Sequence, residues 1–421
     1  MLREGIAAAL REQYGEDGRL LPAYDDYCFA NVPGTIGELF GVQMSRSLPA
    51  DVFDIDPTEF KHVVLLLLDG LGLPHWQRDR AAEPLLRTLT ANGRVTPLTS
   101  IYPSETAAAI TTLHTGRTPV EHGLLGWDQY FTEIDGVLQT LPFRTPEGEE
   151  PTEVYGSAAD PAMLFAGTSL YPEMAAAGGR PHLFVPEGSV GTTYSTRVNE
   201  GATVHGYDTV AEQFLSVRRT LEAAERPTYC YAYLPHIDGM AHRYGTDSED
   251  YAAVRSMCCH CAYRELVEEL DPDTAAETLV IATADHGHVD TDPERVIDLL
   301  EYTPVVEHLE RDGNGDPIPP VGGPRNTHLH LTDGGVPIVR EFLETEFDVW
   351  TATRSEALDM GLFGPGTPAD RFHRRCGDLL AVHRDQALYH AGGSIDYIGM
   401  HGGLHPDEML VPFAVAPAAA L

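Results

Sequence analysis

Lysine is almost absent. Lys61 is the only one in 421 residues, and 28 Lys and Arg face 64 Asp and Glu, a formal net charge of −36 at pH 7. Binding to a nucleic-acid duplex or an anionic membrane needs positive charge, so both are excluded as partners. The acids run along the whole chain instead of forming a tail. This is the composition expected of a protein adapted to a very salty cytoplasm, where screening over a few ångströms removes the repulsion. Long hydrophobic runs are also missing. The longest strongly apolar one, Val63 to Leu68, falls far short of a bilayer span. The N-terminus, Met1-Leu2-Arg3-Glu4-Gly5, lacks the unbroken apolar stretch of a signal peptide. Cysteine is scarce. Six in all, three of them crowded at Cys258, Cys259 and Cys261, do not make a disulfide framework. A cytoplasmic protein is expected.

Hydrophobic residues at 43% suffice for a sizeable core. The run His62 to Leu68 stops at Asp69-Gly70 and reads as a strand buried on both faces, as in a parallel sheet. Arg94 to Ser100, His182 to Val185, Thr228 to Leu234, Thr278 to Ala284 and a late segment within 407–416 read as further strands. Thr106 to Thr115 reads as a helix ended by Gly116, and 251–270 carries a helical apolar stripe. Strands alternating with helices imply an α/β sandwich. Residues 1–54 form a lead-in, 55–290 with 396–421 the catalytic unit, and the Pro/Gly-rich 291–395 an inserted cap.

Metal-ligating residue types fall just beyond these strands, where open α/β sheets bind ligands. Asp69 ends the first. Asp238 and His242 follow the strand ending at Leu234, spaced to share one face of a helical turn. Asp285-His286-Gly287 follows Ala284, and His401-Gly402-Gly403 precedes the last strand. Mixed carboxylate and imidazole donors suit zinc, with manganese or iron also admissible. Thr106 stands at the N-terminal end of its helix, where unpaired N–H groups and the dipole favour an anion. Taken locally, Thr106 or Ser104 reads better as a helix cap than as a nucleophile. Cys258 sits on the apolar stripe and reads as core, and Asp312-Gly-Asn314-Gly-Asp316 reads as a turn rather than a calcium loop. His288 and Asp290 are candidates for orienting ligands.

The segment from Thr106 through Thr115-Gly116 to His122-Gly123, with Asp69, Asp238 and His242, Asp285-His286 and His401-Gly402, resembles the nucleotide pyrophosphatase/phosphodiesterase (type I phosphodiesterase) family of the alkaline phosphatase superfamily. The resemblance covers roughly 60–130, 228–290 and 396–415. It implies an alkaline-phosphatase-like α/β/α sandwich with a central, mostly parallel sheet and an inserted cap. It also implies two divalent metal ions, most simply zinc, one held by Asp69, Asp285, His286 and Thr106 and the other by Asp238, His242 and His401. Thr106 would attack phosphorus and form a threonyl-phosphate ester. A small phosphate ester or nucleotide-type molecule is the implied substrate. Trp127 stands where the family usually places an Asn that donates to a phosphoryl oxygen, which opens the question of substrate class. Trp127, His328 and His330 are the expected substrate contacts. A phosphomonoesterase, phosphonate hydrolase or phosphomutase is the nearest alternative, and an inactive metal-stabilised binding protein the alternative of another class.

Overall fold

The computed structural model describes residues 1–389 and 396–421, so the last six residues of the expected cap lie outside it. Its main sheet has seven strands in the order Arg94–Thr99, Leu410–Pro417, Thr278–Thr283, His62–Leu68, Thr228–Leu234, Arg180–Pro186 and Thr203–Tyr207. Six run the same way, and Leu410–Pro417 runs against them. All seven residues of His62–Leu68 are buried, which explains why this strand reads as an apolar run instead of an alternation. Each buried Val or Leu contributes about 1.5–3 kcal/mol relative to an exposed one. Helices cover the sheet, among them Thr106–Thr115, Val210–Glu222 and Glu249–Tyr263. This is an alkaline-phosphatase-like α/β sandwich.

Register explains why the crevice forms where it does. Leu67 pairs with Thr283 and Leu68 with Leu234, so three adjacent parallel strands end at one level. Asp69, the helix His236–Tyr244 and Asp285 leave the sheet side by side. Leu410 pairs with Thr99, so the antiparallel strand begins at this same edge and delivers the His401 turn that precedes it. Arg94–Thr99 ends there too and feeds the segment leading to Thr106.

A second, antiparallel sheet has six strands in the order Val349–Thr353, Leu379–His383, Asn326–Leu329, Val321–Gly323, Asp128–Phe131 and Gly136–Gln139. Four strands come from the stretch 291–395, and two come from the chain just after His122-Gly123, so the sheet straddles the boundary drawn from sequence. The late strand starts at Leu410, after a short helical turn at Pro406–Met409. The stripe over 251–270 is α-helical to Tyr263 and widens into a π-turn over Arg264–Glu268. Cys258 is buried in the core, and Asp312 closes a turn by accepting the N–H groups of Asn314 and Asp316.

Candidate active site

Thr106 is the first residue of its helix, following the extended Glu105. The first turn of a helix leaves its N–H groups without intrahelical partners, so they face the same space as the Thr106 hydroxyl. The helix stops at Gly116, which adopts φ 66°. Beyond it His122 ties the following loop back to the helix. Its Nδ1 accepts the Leu124 N–H at 3.1 Å, which leaves Nε2–H to donate to Thr112 Oγ1 at 3.1 Å. The spacing from Thr106 to His122-Gly123 is thus set by a helix of three turns and the side chain that fastens the loop below it.

Two groups of donors meet beside Thr106. In the first, Thr106 Oγ1 lies 3.0 Å from His286 Nε2 and 3.5 Å from Asp69 Oδ1. His286 Nε2 is 3.4 Å from Asp69 and 3.5 Å from Asp285 Oδ2. In the second, Asp238 Oδ1 has His288 Nε2 at 3.0 Å, His242 Nε2 at 3.3 Å and His401 Nε2 at 3.5 Å. The stacked rings of His286 and His401 join the two groups. A short ladder, Val289–Asp290 against Gly399–Met400, holds the His401 turn alongside His288. Asp290 itself lies outside both groups and accepts the Thr246 N–H at 3.0 Å.

The hydrogen bonds fix which ring nitrogens face inward. Nδ1 of His242, His286, His288 and His401 meets a backbone carbonyl, of Gly399, Gly287, Gly70 and Ser104 respectively, at 2.6–3.1 Å. A carbonyl only accepts, so each Nδ1 carries the proton, and Nε2 of His242, His286 and His401 turns a lone pair toward the centre. His288, its pKa raised by Asp238 against the effect of burial, also donates from Nε2 to Asp238 Oδ1. Nε2 of His242 and Nε2 of His401 stand 3.2 Å apart, lone pair to lone pair.

The carboxylates are equally crowded. Burial, then the charges of Asp285 and Asp238, pushes the Asp69 carboxyl well above the carboxylate range. Among the described residues Asp285 Oδ2 is buried without a hydrogen-bond partner. At Asp238 burial opposes ionisation, yet His242, His288 and His401 hold its carboxyl well below that range. Burial also pushes His242 and His401 down, keeping them neutral. Inward lone pairs around buried carboxylates are mutually repulsive unless a cation lies among them, and neutral imidazole with carboxylate is a zinc-type donor set. The residues fit a pair of divalent ions.

The expected ligands and nucleophile therefore converge from five segments. His288 joins them as a further donor around Asp238. Trp127 is 40% exposed, and its backbone N–H donates to Glu105 Oε1 at 2.7 Å. Burial pushes the Glu105 carboxyl up to about 8. Trp127 also lines a cavity of about 670 Å³ with Tyr194, Tyr231 and Tyr233. His328 and His330 are buried in the second sheet and line neither that cavity nor the two donor groups. His328 is pinned by the Cys376 carbonyl and Asn326 Oδ1.

Two contributors carry little sequence signal. Tyr233 donates its hydroxyl to Asp69 Oδ2 at 2.5 Å, and Glu105 anchors the Trp127 loop. The odd residues Tyr229, Tyr231 and Tyr233 share one face of their strand by alternation, which is the one local hint of an aromatic wall.

Known proteins place the fold and the family. The chain resembles a murine ectonucleotide pyrophosphatase / phosphodiesterase 5 structure, an inactive variant in complex with AMP, at 15% identity and TM-score 0.62, with 84% of this chain and 87% of that one covered. The human protein of that name gives 15% and 0.59 over 84% and 87%. Phosphonoacetate hydrolase from Sinorhizobium meliloti 1021, in complex with phosphonoacetate, gives 17% and 0.59 over 84% and 89%. A comparison with curated proteins found no match. The family model for type I phosphodiesterase / nucleotide pyrophosphatase matches residues 63–404, and the chain belongs to that family, within the alkaline phosphatase superfamily.

Proposed function

We propose that this protein is a metal-dependent phosphodiesterase whose nucleophile is Thr106. The observation that carries the reading is the Thr106 hydroxyl, 3.0 Å from the lone pair of His286 Nε2 at an unpaired helix N-terminus, beside both donor groups. Asp69, Asp285 and His286 with Thr106 would hold one ion, and Asp238, His242 and His401 the other, with His288 orienting Asp238. When bound, two divalent ions, zinc first with manganese or iron admissible, supply the positive charge that lowers the hydroxyl pKa and balances charge on the phosphoryl oxygens.

The chain itself does the rest. Thr106 Oγ1 forms a bond to phosphorus as the bond to the leaving oxygen breaks. The Thr106 proton passes to water, since the His286 Nε2 lone pair would be engaged in holding the ion, and the leaving oxygen takes a proton from water. The N–H groups of the first helical turn face the oxygens of the threonyl-phosphate ester. Water then cleaves that ester and restores the hydroxyl. Tyr233 holds Asp69 by one oxygen, keeping the other turned toward Thr106.

The adjoining cavity supports a diester as the substrate class. Among the described residues its one Lys or Arg side chain, Arg144, is paired with Glu150 at 2.6 Å. A doubly charged monoester meets no free cation there, whereas a diester with an aryl or nucleoside group meets Trp127 and three tyrosines. Turnover of bis(p-nitrophenyl) phosphate and p-nitrophenyl phosphate tests the reading. The diester is expected to have the higher kcat/KM. Thr106→Ala is expected to lose several powers of ten in kcat while keeping its metal content. Near-normal turnover by Thr106→Ala would sink the nucleophile assignment, and a clear monoester preference would sink the substrate class.

A further inference from the structure

A third set of donor atoms sits on the second sheet, outside the crevice. Leu329 pairs with Leu379, so His330 stands opposite Asp378. The bridge between Leu309 and Leu331 sets Glu310 opposite His330 on the other side, where the Glu310 N–H donates to the His330 carbonyl at 2.9 Å. Directly opposed residues send their side chains to the same face of a sheet. One donor atom from each of Glu310, His330 and Asp378 accordingly lies within 4.8 Å of the other two.

His330 is the unusual member. It is 5% exposed, its ring makes no hydrogen bond among the described residues, and its Nε2 is buried without a partner. Leaving such a group unpaired is costly. Tyr130 packs edge-on against the ring, with centroids 5.3 Å apart. Burial pushes the His330 imidazole down to about 4, so it stays neutral, the state that binds a metal. Burial and the charge of Asp378 push the Glu310 carboxyl up. Both groups would gain from a cation between them.

We propose that Glu310, His330 and Asp378 form an additional divalent-metal site, separate from the crevice, that takes Zn²⁺ or Mn²⁺. One imidazole with two carboxylates suits these ions, whereas calcium prefers oxygen donors alone. Rotation of the exposed Glu310 side chain lets the three donors settle to the bonds of about 2.0–2.2 Å that such ions take. Asp378 is already held in place. Its Oδ1 faces Arg354 at 3.2 Å and its Oδ2 accepts the Leu331 N–H at 3.0 Å. Arg354 offsets one of the two carboxylate charges, so the site keeps a net negative charge. The bound ion would staple three neighbouring segments at one end of the sheet.

The test counts metal per chain after the full-length protein is loaded with Zn²⁺, or separately Mn²⁺, and freed of excess by gel filtration. Glu310→Gln is expected to bind one equivalent fewer than wild type and to keep wild-type turnover. The added metal should raise its melting temperature less than it raises that of wild type. His330→Gln is expected to lose the same equivalent, and the exposed Glu310→Gln serves if that buried change impairs folding. Only the difference of one equivalent is read, so the outcome does not depend on how many ions the crevice holds. Equal metal content in wild type and Glu310→Gln would overturn the site.

Discussion

Gly70 shows how narrow the tolerances are at single residues. It follows Asp69 with φ 72°, and a Cβ placed there would lie 2.2 Å from His288 Cε1 and 3.3 Å from Asp238 Cβ. A left-handed backbone alone costs a non-glycine residue roughly 1–2 kcal/mol. The displaced His288 would also let go of Asp238 and of the Gly70 carbonyl. Gly70→Ala is therefore expected to lower kcat/KM by about tenfold or more and to weaken metal retention, with far-UV circular dichroism unchanged. Wild-type turnover in Gly70→Ala would show that His288 has no part in holding the second group. Trp127 is a different kind of residue. Its side chain faces the cavity while its N–H serves Glu105, so the position where the family usually has an Asn combines an anchor with an aromatic surface.

Between elements, one buried ion pair holds the His401 turn against the second sheet. Arg325, in the turn between Val321–Gly323 and Asn326–Leu329, donates to both oxygens of Glu408 at 2.9 and 2.7 Å, and both side chains are fully buried. Arg325 also donates to the carbonyls of Gln386 and Arg384, while Glu408 accepts the N–H groups of Gly403 and His405. Burial raises the Glu408 pKa, but Arg325 and these donors reverse that and leave it lowered. The Gly403 carbonyl then receives Ser104 Oγ, and the Ser104 carbonyl receives His401 Nδ1. Removing one member leaves an uncompensated buried charge, a loss of about 3–5 kcal/mol. Arg325→Met should destabilise by that amount in urea unfolding and cost activity through His401. Arg325→Met combined with Glu408→Leu should recover a large part of the stability. A double variant no more stable than Arg325→Met would refute the coupling.

For the whole molecule, the excess of 36 acidic charges decides how it meets solvent. At 0.01 M salt the Debye length is about 30 Å, and acids across the surface repel one another. At 1 M it is about 3 Å, and only neighbours interact. Net stability is a small difference between large terms, so relief of this repulsion shifts it appreciably. Melting temperature and turnover are expected to rise steeply from dilute buffer to molar KCl. A chelator should still abolish turnover at high salt, because screening of the surface would not replace the ions proposed for the crevice. A melting temperature flat or falling across that range would refute the link between composition and salt. Among the described residues, no helix is long and apolar enough to cross a membrane.

The strands were legible because burial on both faces writes an unbroken apolar run, and the candidate ligands stood out because they lie where those runs stop. His62 to Leu68 followed by Asp69 shows both signals in eight residues. Spacing along one helix was legible as well, as with Asp238 and His242, since a helical turn is a local property. The partners supplied by distant segments were not legible. Tyr233 meets Asp69 because their strands are neighbours, Glu105 meets Trp127 across a loop, and Arg325 meets Glu408 from 83 residues away. His328 and His330 look alike in sequence, two residues apart, one in the strand Asn326–Leu329 and the other just past its end. Yet one is pinned by Asn326 and Cys376, and the other faces Glu310 and Asp378. Alternation along a strand shows only which face a side chain takes. What lies opposite on that face is set by the register of the neighbouring strands, which only the assembled sheet decides.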